Sequence, residues 1–194
     1  MKIVEYNSAY DVVVEFDDKY KSKKRTTYQM FLKGQTKNCY IPTVYGVGII
    51  GDKYPKAINR VYTKEYMAWQ AMLGRCYSVK KKQERPTYKD VTCCEEWLLY
   101  ENFYEWLHSQ ENFKMWKEEK NFCVDKDILQ PNNKVYSPNT CCLIPKSLNS
   151  LFRDRNCHLT FNKIKQVAET EYRRGAITKK CYEAVMQWED KITD

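Results

Sequence analysis

One segment in the second half of the chain constrains its fold more than any other. It consists of residues 124–129, residues 133–141 and a stretch that ends at Asn149. The first two runs predict two strands joined by a turn, and Pro145 suits the first turn of a helix. The segment therefore predicts a β-hairpin over residues 122–143, followed by a helix from about residue 145.

The composition is that of a globular chain. Its 194 residues are 43% hydrophobic and 14% aromatic, enough to bury a core in one domain with a small additional module. No stretch approaches the roughly 18 apolar residues that cross a bilayer. The N-terminal residues alternate polar and apolar types instead of forming a signal-peptide core. We therefore expect a soluble, intracellular protein without a membrane partner.

The nine cysteines do not form a disulfide or zinc pattern. They include the adjacent pairs Cys93-Cys94 and Cys141-Cys142, and no C-x-x-C pair occurs. Their number is odd, and no secretion signal is present. This pattern favours small apolar core residues in a reducing cytosol, and zinc is the less favoured alternative.

Basic residues are clustered in a chain whose formal net charge is +8. No acidic residue lies between Lys19 and Lys37. The candidate DNA-binding residues are Lys21, Lys23, Lys24 and Arg25 in the first cluster and Lys80, Lys81, Lys82 and Arg85 in the second. Either cluster alone is typical of a solvated loop. Together with the hairpin, the two clusters favour salt-sensitive binding to the backbone of double-stranded DNA.

Hydrophobic periodicity divides the chain into three parts of an α+β fold. Residues 1–55 predict a small basic module of three strands and a linker. Residues 56–160 predict a helix with Thr63 as its N-cap, a second helix from about Glu95 to Ser109, and the hairpin. Residues 161–194 predict a C-terminal tail of two helices joined at Gly175.

Several short motifs mark the middle of the chain. They are Trp69-x-x-Met72-x-x-Arg75-Cys76-Tyr77, Tyr88-x-x-Val91-x-x-Cys94-x-x-Trp97, Asn102-Phe103 with Trp106, Asp125-Lys126-Asp127, Tyr136-Ser137-Pro138 and Asn149. These motifs resemble those of bacteriophage HNH-like proteins, which are often described as HNH or homing endonucleases. N-terminal pieces such as Pro42-x-Val44-Tyr45-Gly46-Val47-Gly48 look like the basic β-module of the same proteins. The resemblance covers nearly the whole chain.

The resemblance implies an HNH-like ββα core packed on helices. Many relatives carry an apetala-type β-sheet domain, which binds DNA, between the hairpin helix and the C-terminal tail. Here Phe152 is followed within about ten residues by the tail-like residues 161–164. The resemblance therefore implies a phage-encoded protein without that domain, acting in the host cytoplasm.

Carried over residue by residue, the HNH pattern assigns four positions. It puts Asp125 and Asn149 in the metal-ligand places, Lys126 in the general-base place and Thr140 in the central Asn place. Carboxylate and amide oxygens suit Mg²⁺ or Mn²⁺. Lys126 and the adjacent Asp127 are catalytic candidates, with Lys126 neutralising phosphate charge. A lysine between two carboxylates is a poor base.

Two histidines are available to replace the missing base. His108 lies near a predicted helix end among aromatic residues, where packing or capping is the favoured role. His158 follows Asn149 by nine residues and is the remaining catalytic candidate. The alternative for Asp125-Lys126-Asp127 is a surface hairpin stabilised by local ion pairs.

The leading interpretation is a DNA-binding protein on an HNH endonuclease-like scaffold. Cleavage is left open, because the altered base position allows either a metal-dependent endonuclease or an inactive derivative that regulates by binding DNA. Another alternative is an inhibitor that binds a host defence protein, since a fold does not fix a function.

Overall fold

The chain forms an α+β fold, as its sequence predicts. The computed structural model describes residues 1–152 and 158–188. For residues 158–160 it describes the backbone but not the side chains. Among the helices of these residues, none has the length and apolar composition that a membrane crossing requires.

A three-stranded antiparallel sheet opens the chain. Its strands are β1 (Lys2–Ser8), β2 (Asp11–Glu15) and β3 (Lys23–Thr26), with β2 in the centre. Val12 and Val14 of β2 are fully buried. Helix α1 (Tyr28–Leu32) packs against β2, and the Thr27 side chain caps its first turn. The three strands predicted for this module are therefore present.

A buried carboxylate joins the linker to the helical part. Glu101 accepts hydrogen bonds from the backbone N–H groups of Asp52 at 2.9 Å and Lys53 at 2.8 Å. Gly51 precedes them with a φ of 74°, and a Cβ at this position would collide with the Glu101 carboxylate. Glycine is required here both for its backbone conformation and for this close approach.

The middle of the chain is mainly helical. Its elements are the hairpin of β4 (Ala57–Ile58) and β5 (Val61–Tyr62), α2 (Lys64–Tyr77), α3 (Val79–Glu84), a 3₁₀ turn at Pro86–Tyr88, β6 (Thr92–Cys93), a 3₁₀ turn at Glu95–Leu98, α4 (Tyr100–His108) and α5 (Phe113–Glu118). Thr63 caps α2, as predicted, by accepting a hydrogen bond from Tyr66 N–H. In the core, Trp69 Nε1 donates to the Trp97 carbonyl at 2.7 Å.

The single helix predicted for residues 95–109 is interrupted, which corrects that prediction. Leu99 is extended, with φ −90° and ψ 120°. Ile49 donates its N–H to the Leu98 carbonyl at 2.8 Å and accepts from Tyr100 N–H at 2.9 Å. These bonds to the linker replace the helical bonds that residues 98–100 would otherwise make, and α4 begins after them.

The predicted hairpin is present with different strand partners. Strand β7 (Phe122–Asp125) pairs antiparallel with β9 (Cys142–Pro145), which leads into α6 (Lys146–Leu151). The intervening β8 (Val135–Tyr136) pairs in parallel with β6 instead. The prediction placed the second strand too early, because residues 126–141 form a long folded loop.

The hairpin of β7 and β9 lies between two hydrophobic clusters. Side chains alternate across a strand, so Phe122, Val124 and Leu143 face the aromatic cluster of α2 and α4. Cys142 and Ile144 face a second cluster with α6. That cluster also includes α7 (His158–Arg173) and α8 (Lys179–Met186), the two C-terminal helices predicted around Gly175.

The cysteines of the described residues are free thiols. Cys76, Cys141, Cys142 and Cys181 are buried in the two clusters, and the other four described cysteines are partly buried. The core role predicted for most cysteines is therefore clear for these four. Cys142 and Cys181 bring their sulfur atoms to 3.8 Å across the second cluster.

Truncating a side chain of the second cluster should measure its contribution to stability. Leu148 is fully buried and Leu32 is 64% exposed. We expect Leu148→Ala to lower the free energy of unfolding by about 2 to 5 kcal/mol, because it leaves a cavity. Leu32→Ala is the matched control and should change it by less than about 0.5 kcal/mol. Urea unfolding followed by circular dichroism checks both. A loss below about 0.5 kcal/mol in Leu148→Ala would contradict a stabilising role of Leu148 in this cluster.

Candidate functional site

Asp125 ends β7 and fixes the loop that follows. Its Oδ2 accepts hydrogen bonds from the N–H groups of Asp127 and Ile128, each at 2.8 Å. The residue is 6% exposed, and burial raises the pKa of its carboxyl group above the ordinary value of 3.8. Asp125 therefore caps a turn in a buried setting that makes ionisation of its carboxyl group less favourable than in water.

Lys126 holds the same loop from the other side. Its Nζ lies 2.5 Å from Asp127 Oδ1 and donates to the Asn133 carbonyl at 2.6 Å. It also lies 6.0 Å from the centre of the Tyr136 ring, within reach of a cation–π interaction. Lys126 is 7% exposed. Its ammonium group donates to these partners, and a general base would need the free amine instead.

The surface-hairpin alternative for Asp125-Lys126-Asp127 is half right. The local ion pair between Lys126 and Asp127 exists. Asp125 and Lys126 are buried, however, and not on the surface. Burial follows from the long loop, which folds over the end of β7 and returns through Asn133. The Asn133 amide closes this loop by donating to the Lys126 carbonyl at 3.0 Å.

The remaining HNH positions also make structural contacts. Thr140 Oγ1 donates to the Val135 carbonyl at 2.8 Å and contacts Ser137 Oγ at 2.9 Å. Asn149 on α6 directs Nδ2 to Cys123 Sγ at 3.3 Å. Cys123 and Asp125 share one face of β7 by strand alternation, so Asn149 contacts the hairpin two residues before Asp125.

The Mg²⁺ or Mn²⁺ implied by the resemblance finds a poor fit in these two side chains. Asp125 is buried and uses Oδ2 for two backbone bonds. Asn149 contacts the strand through its amide nitrogen. Within residues 1–152 and 158–188, no group of three or more His, Cys, Asp or Glu side chains could hold a metal ion.

The histidines occupy separate places. His108 stacks between Tyr104 and Phe113, with its ring centre 4.0 Å from each of theirs. Its Nε2 lies 3.5 Å from the buried Glu65 carboxylate, and burial lowers the pKa of His108 below its usual value. The expected packing role is what the structure shows. His158 begins α7, and its side chain lies outside the described residues.

Carboxylates compensate two of the four candidates in the first basic cluster. Lys21 Nζ lies 2.6 Å from Asp17, and Arg25 Nη1 lies 2.6 Å from Asp11. Asp11 and Asp17 precede the acid-free run in sequence. The turns and the β2–β3 pairing bring them next to it in space. Lys23 and Lys24 on β3 remain without an ion pair in the described part of the chain.

The second basic cluster is less compensated. Lys80 lies 3.9 Å from Glu84, and Lys82 Nζ donates to the Lys89 carbonyl at 3.0 Å. Neither Lys81 nor Arg85 forms an ion pair with a carboxylate of the described residues. Two of the four candidates on and after α3 therefore keep their charge available to a partner.

Arg75 on α2 joins this second cluster, although the sequence did not single it out as a site residue. Its Nε donates to the Tyr136 hydroxyl at 2.8 Å, and its guanidinium lies 5.1 Å from the centre of the Tyr136 ring. No carboxylate of the described residues pairs with it. One sequence signal could have found it: Arg75 is the sole charged residue between Glu65 and Lys80.

A cavity of about 270 Å³ brings the second cluster together with α2. Its lining residues are Arg75, Lys81, Glu84, Arg85 and Tyr88. Lys81 Nζ folds over α2 at Gly74, where an added Cβ would come within 2.7 Å of it. The lining holds three cations and one carboxylate, so this part of the surface is suited to an anion.

Comparison of the chain with protein-family models, with curated proteins and with solved structures finds no match.

The role of Asp125 as a buried cap can be tested by two substitutions. Asp125→Ala removes both hydrogen bonds and should lower the free energy of unfolding by about 1 to 3 kcal/mol. Asp125→Asn keeps an oxygen acceptor and removes the buried charge, so it should be at least as stable as wild type at pH 7. Urea titrations of the three proteins check this order.

The same pair predicts a pH dependence. Because folding raises the pKa of Asp125 above 3.8, the folded state favours its protonated form. Its stabilising contribution is complete below the unfolded pKa and is lost as pH rises through the folded pKa. The advantage of Asp125→Asn over wild type should therefore grow from pH 4 to pH 7. An advantage that shrinks over this range would contradict the buried-cap assignment.

Proposed function

We propose that the protein binds the phosphate backbone of double-stranded DNA along α3 and does not cleave it. The observation that carries the proposal is that Arg75, Lys81 and Arg85 meet at one cavity and that none of the three forms an ion pair with a carboxylate of the described residues. Unpaired cations of this kind bind phosphates and release counterions.

The two basic clusters contribute differently. In the first, Lys21 and Arg25 are neutralised by nearby acids. Lys23 and Lys24 could add contacts along a backbone. In the second, Lys82 is held by backbone carbonyls, which fixes the end of α3 relative to residues 89–91. We therefore assign the main phosphate contacts to the α3 side and a minor part to β3.

The resemblance to HNH-like phage proteins supports DNA as the ligand. Strand β7, strand β9 and helix α6 follow one another in the strand–strand–helix order of a ββα hairpin. The contacts of Asp125 and Lys126 support binding without cleavage, because both side chains are used to fold the loop. If the phage origin holds, the protein acts in the host cytoplasm.

A host protein is the second candidate partner, and one observation favours it. The β4–β5 hairpin leaves Ile58 60% exposed, Val61 71% exposed and Tyr62 51% exposed. Exposed apolar side chains grouped in this way are typical of protein contacts. A regulatory or inhibitory role could therefore use this hairpin while α3 faces nucleic acid.

Binding should depend on salt and on the α3 cations. If three phosphates are neutralised, affinity for a duplex should fall on the order of 40-fold between 50 and 200 mM salt. Lys81→Gln with Arg85→Gln should lower the slope of log affinity against log salt by about two. Lys19→Gln with Lys21→Gln is the matched control, because both lysines are already paired. Fluorescence anisotropy with a labelled duplex measures both. A larger loss in the control would move the interface to the N-terminal sheet.

Plasmid nicking separates binding from cleavage. With Mg²⁺ or Mn²⁺, we expect the wild-type protein to leave supercoiled plasmid intact at concentrations that shift it fully on a gel. The reason is that Lys126 is engaged and Asp125 is a buried cap. Chelator-sensitive nicking that disappears in Asp125→Ala would instead establish an active nuclease.

A further inference from the structure

We infer that the cavity beside α3 binds a phosphate monoester carried by a nucleotide, such as the 5′-phosphate at the end of a DNA strand. The inference rests on the proposed function in that both use Arg75, Lys81 and Arg85. It adds a ligand group that the interior of a duplex backbone does not offer, because backbone phosphates are diesters.

The position of Arg75 is fixed before any ligand binds. Its Nε donates to the Tyr136 hydroxyl at 2.8 Å, and its guanidinium carbon lies 5.1 Å from the centre of the Tyr136 ring. Its two terminal nitrogens donate no hydrogen bond within the described residues, and the side chain lines the cavity. An oriented guanidinium with free terminal donors matches two oxygens of one phosphate.

The other wall of the cavity is also held in place. Ser78 caps α3 by accepting from Lys81 N–H at 3.3 Å. Lys82 ties α3 to the Lys89 carbonyl at 3.0 Å. The turn that carries Tyr88 follows α3 directly, and its backbone bonds to Arg85 at 3.0 Å. A site built on such fixed elements loses less conformational entropy when a ligand binds.

The charge of the lining matches a monoester. Three cations and the Glu84 carboxylate give a formal charge of +2. A phosphate monoester carries about 1.5 to 2 negative charges at pH 7. Glu84 lies 3.9 Å from Lys80, so part of its charge is compensated from outside the cavity. A diester, with a single charge, would leave a cation of the lining unpaired.

The size and the aromatic wall point to a nucleotide. The cavity of about 270 Å³ is close to the lower end of small-molecule sites, which begin near roughly 300 Å³. A duplex cannot enter such a space, whereas a terminal nucleotide can. Tyr88 lines the same cavity and offers a ring on which a base can stack.

Matched oligonucleotides test the inference on the full chain. The same duplex, labelled at a 3′ end, is prepared with a 5′-phosphate or a 5′-hydroxyl, and affinity is measured by fluorescence anisotropy. We expect about tenfold tighter binding of the 5′-phosphate form. Lys81→Gln and Arg85→Gln should each abolish most of this preference. Lys89→Gln removes an exposed charge outside the cavity and should retain it. Thermal unfolding confirms that each variant is folded.

Free nucleotides separate the two sources of the phosphate and the two proposals. Adenosine monophosphate should compete for the cavity and adenosine should not, and the competition should weaken below about pH 6, where the phosphate loses its second charge. Equal affinity for the two duplexes, without competition by adenosine monophosphate, overturns the cavity inference and leaves duplex binding intact. Binding of adenosine monophosphate without duplex binding supports the cavity and overturns the proposed function. A preference lost equally in Lys89→Gln also overturns the inference.

Discussion

The antiparallel pairing of β7 with β9 is the interaction on which the rest of the structure depends. One face of this two-stranded hairpin supplies Phe122, Val124 and Leu143 to the aromatic cluster, and the other supplies Cys142 and Ile144 to the C-terminal cluster. Neither cluster is closed without it. Because alternate side chains serve different cores, a shift of one residue in this pairing would exchange the two faces and expose both cores at once.

The same pairing decides what the loop after β7 can do. Asp125 is carried into the interior by the strand, and a buried carboxylate needs hydrogen-bond partners. It finds them in the next turn, and Lys126 finds Asp127 and the Asn133 carbonyl. The side chains of Asp125 and Lys126 are thereby used to satisfy buried polar groups of the loop. The loop then leads into β8, where Tyr136 pairs with β6 and its hydroxyl accepts a hydrogen bond from Arg75 Nε. The loop that buries Asp125 and Lys126 therefore also positions Arg75 at the cavity beside α3.

Local signals carried much of the fold prediction. The alternation of Val12 and Val14, the Thr63 cap and the Gly175 break were sufficient for the first sheet, α2 and the C-terminal helices, because each is decided within a few residues. The interruption at Leu99 could not be predicted, since its cause is Ile49, fifty residues away. The same limit applied to the site. The residue types alone indicated two clusters of cations. Tertiary contacts determine that Arg25 forms an ion pair with Asp11, whereas Lys81 forms none with a carboxylate of the described residues.

In the proposed phosphate site, the cations that share one cavity serve two purposes, long-range attraction of a polyanion and recognition of the phosphate group. An exposed lysine attracts any polyanion over about a Debye length and has little geometric preference. Arg75 differs, because its Nε is held by the Tyr136 hydroxyl while the side chain lines the cavity. Arg85 is exposed and Lys81 is partly buried, and in the proposed mode of binding both can guide a strand along α3. In the proposed site, Arg75 sets the orientation of the phosphate oxygens, and Lys81 and Arg85 supply the additional charge that a monoester requires.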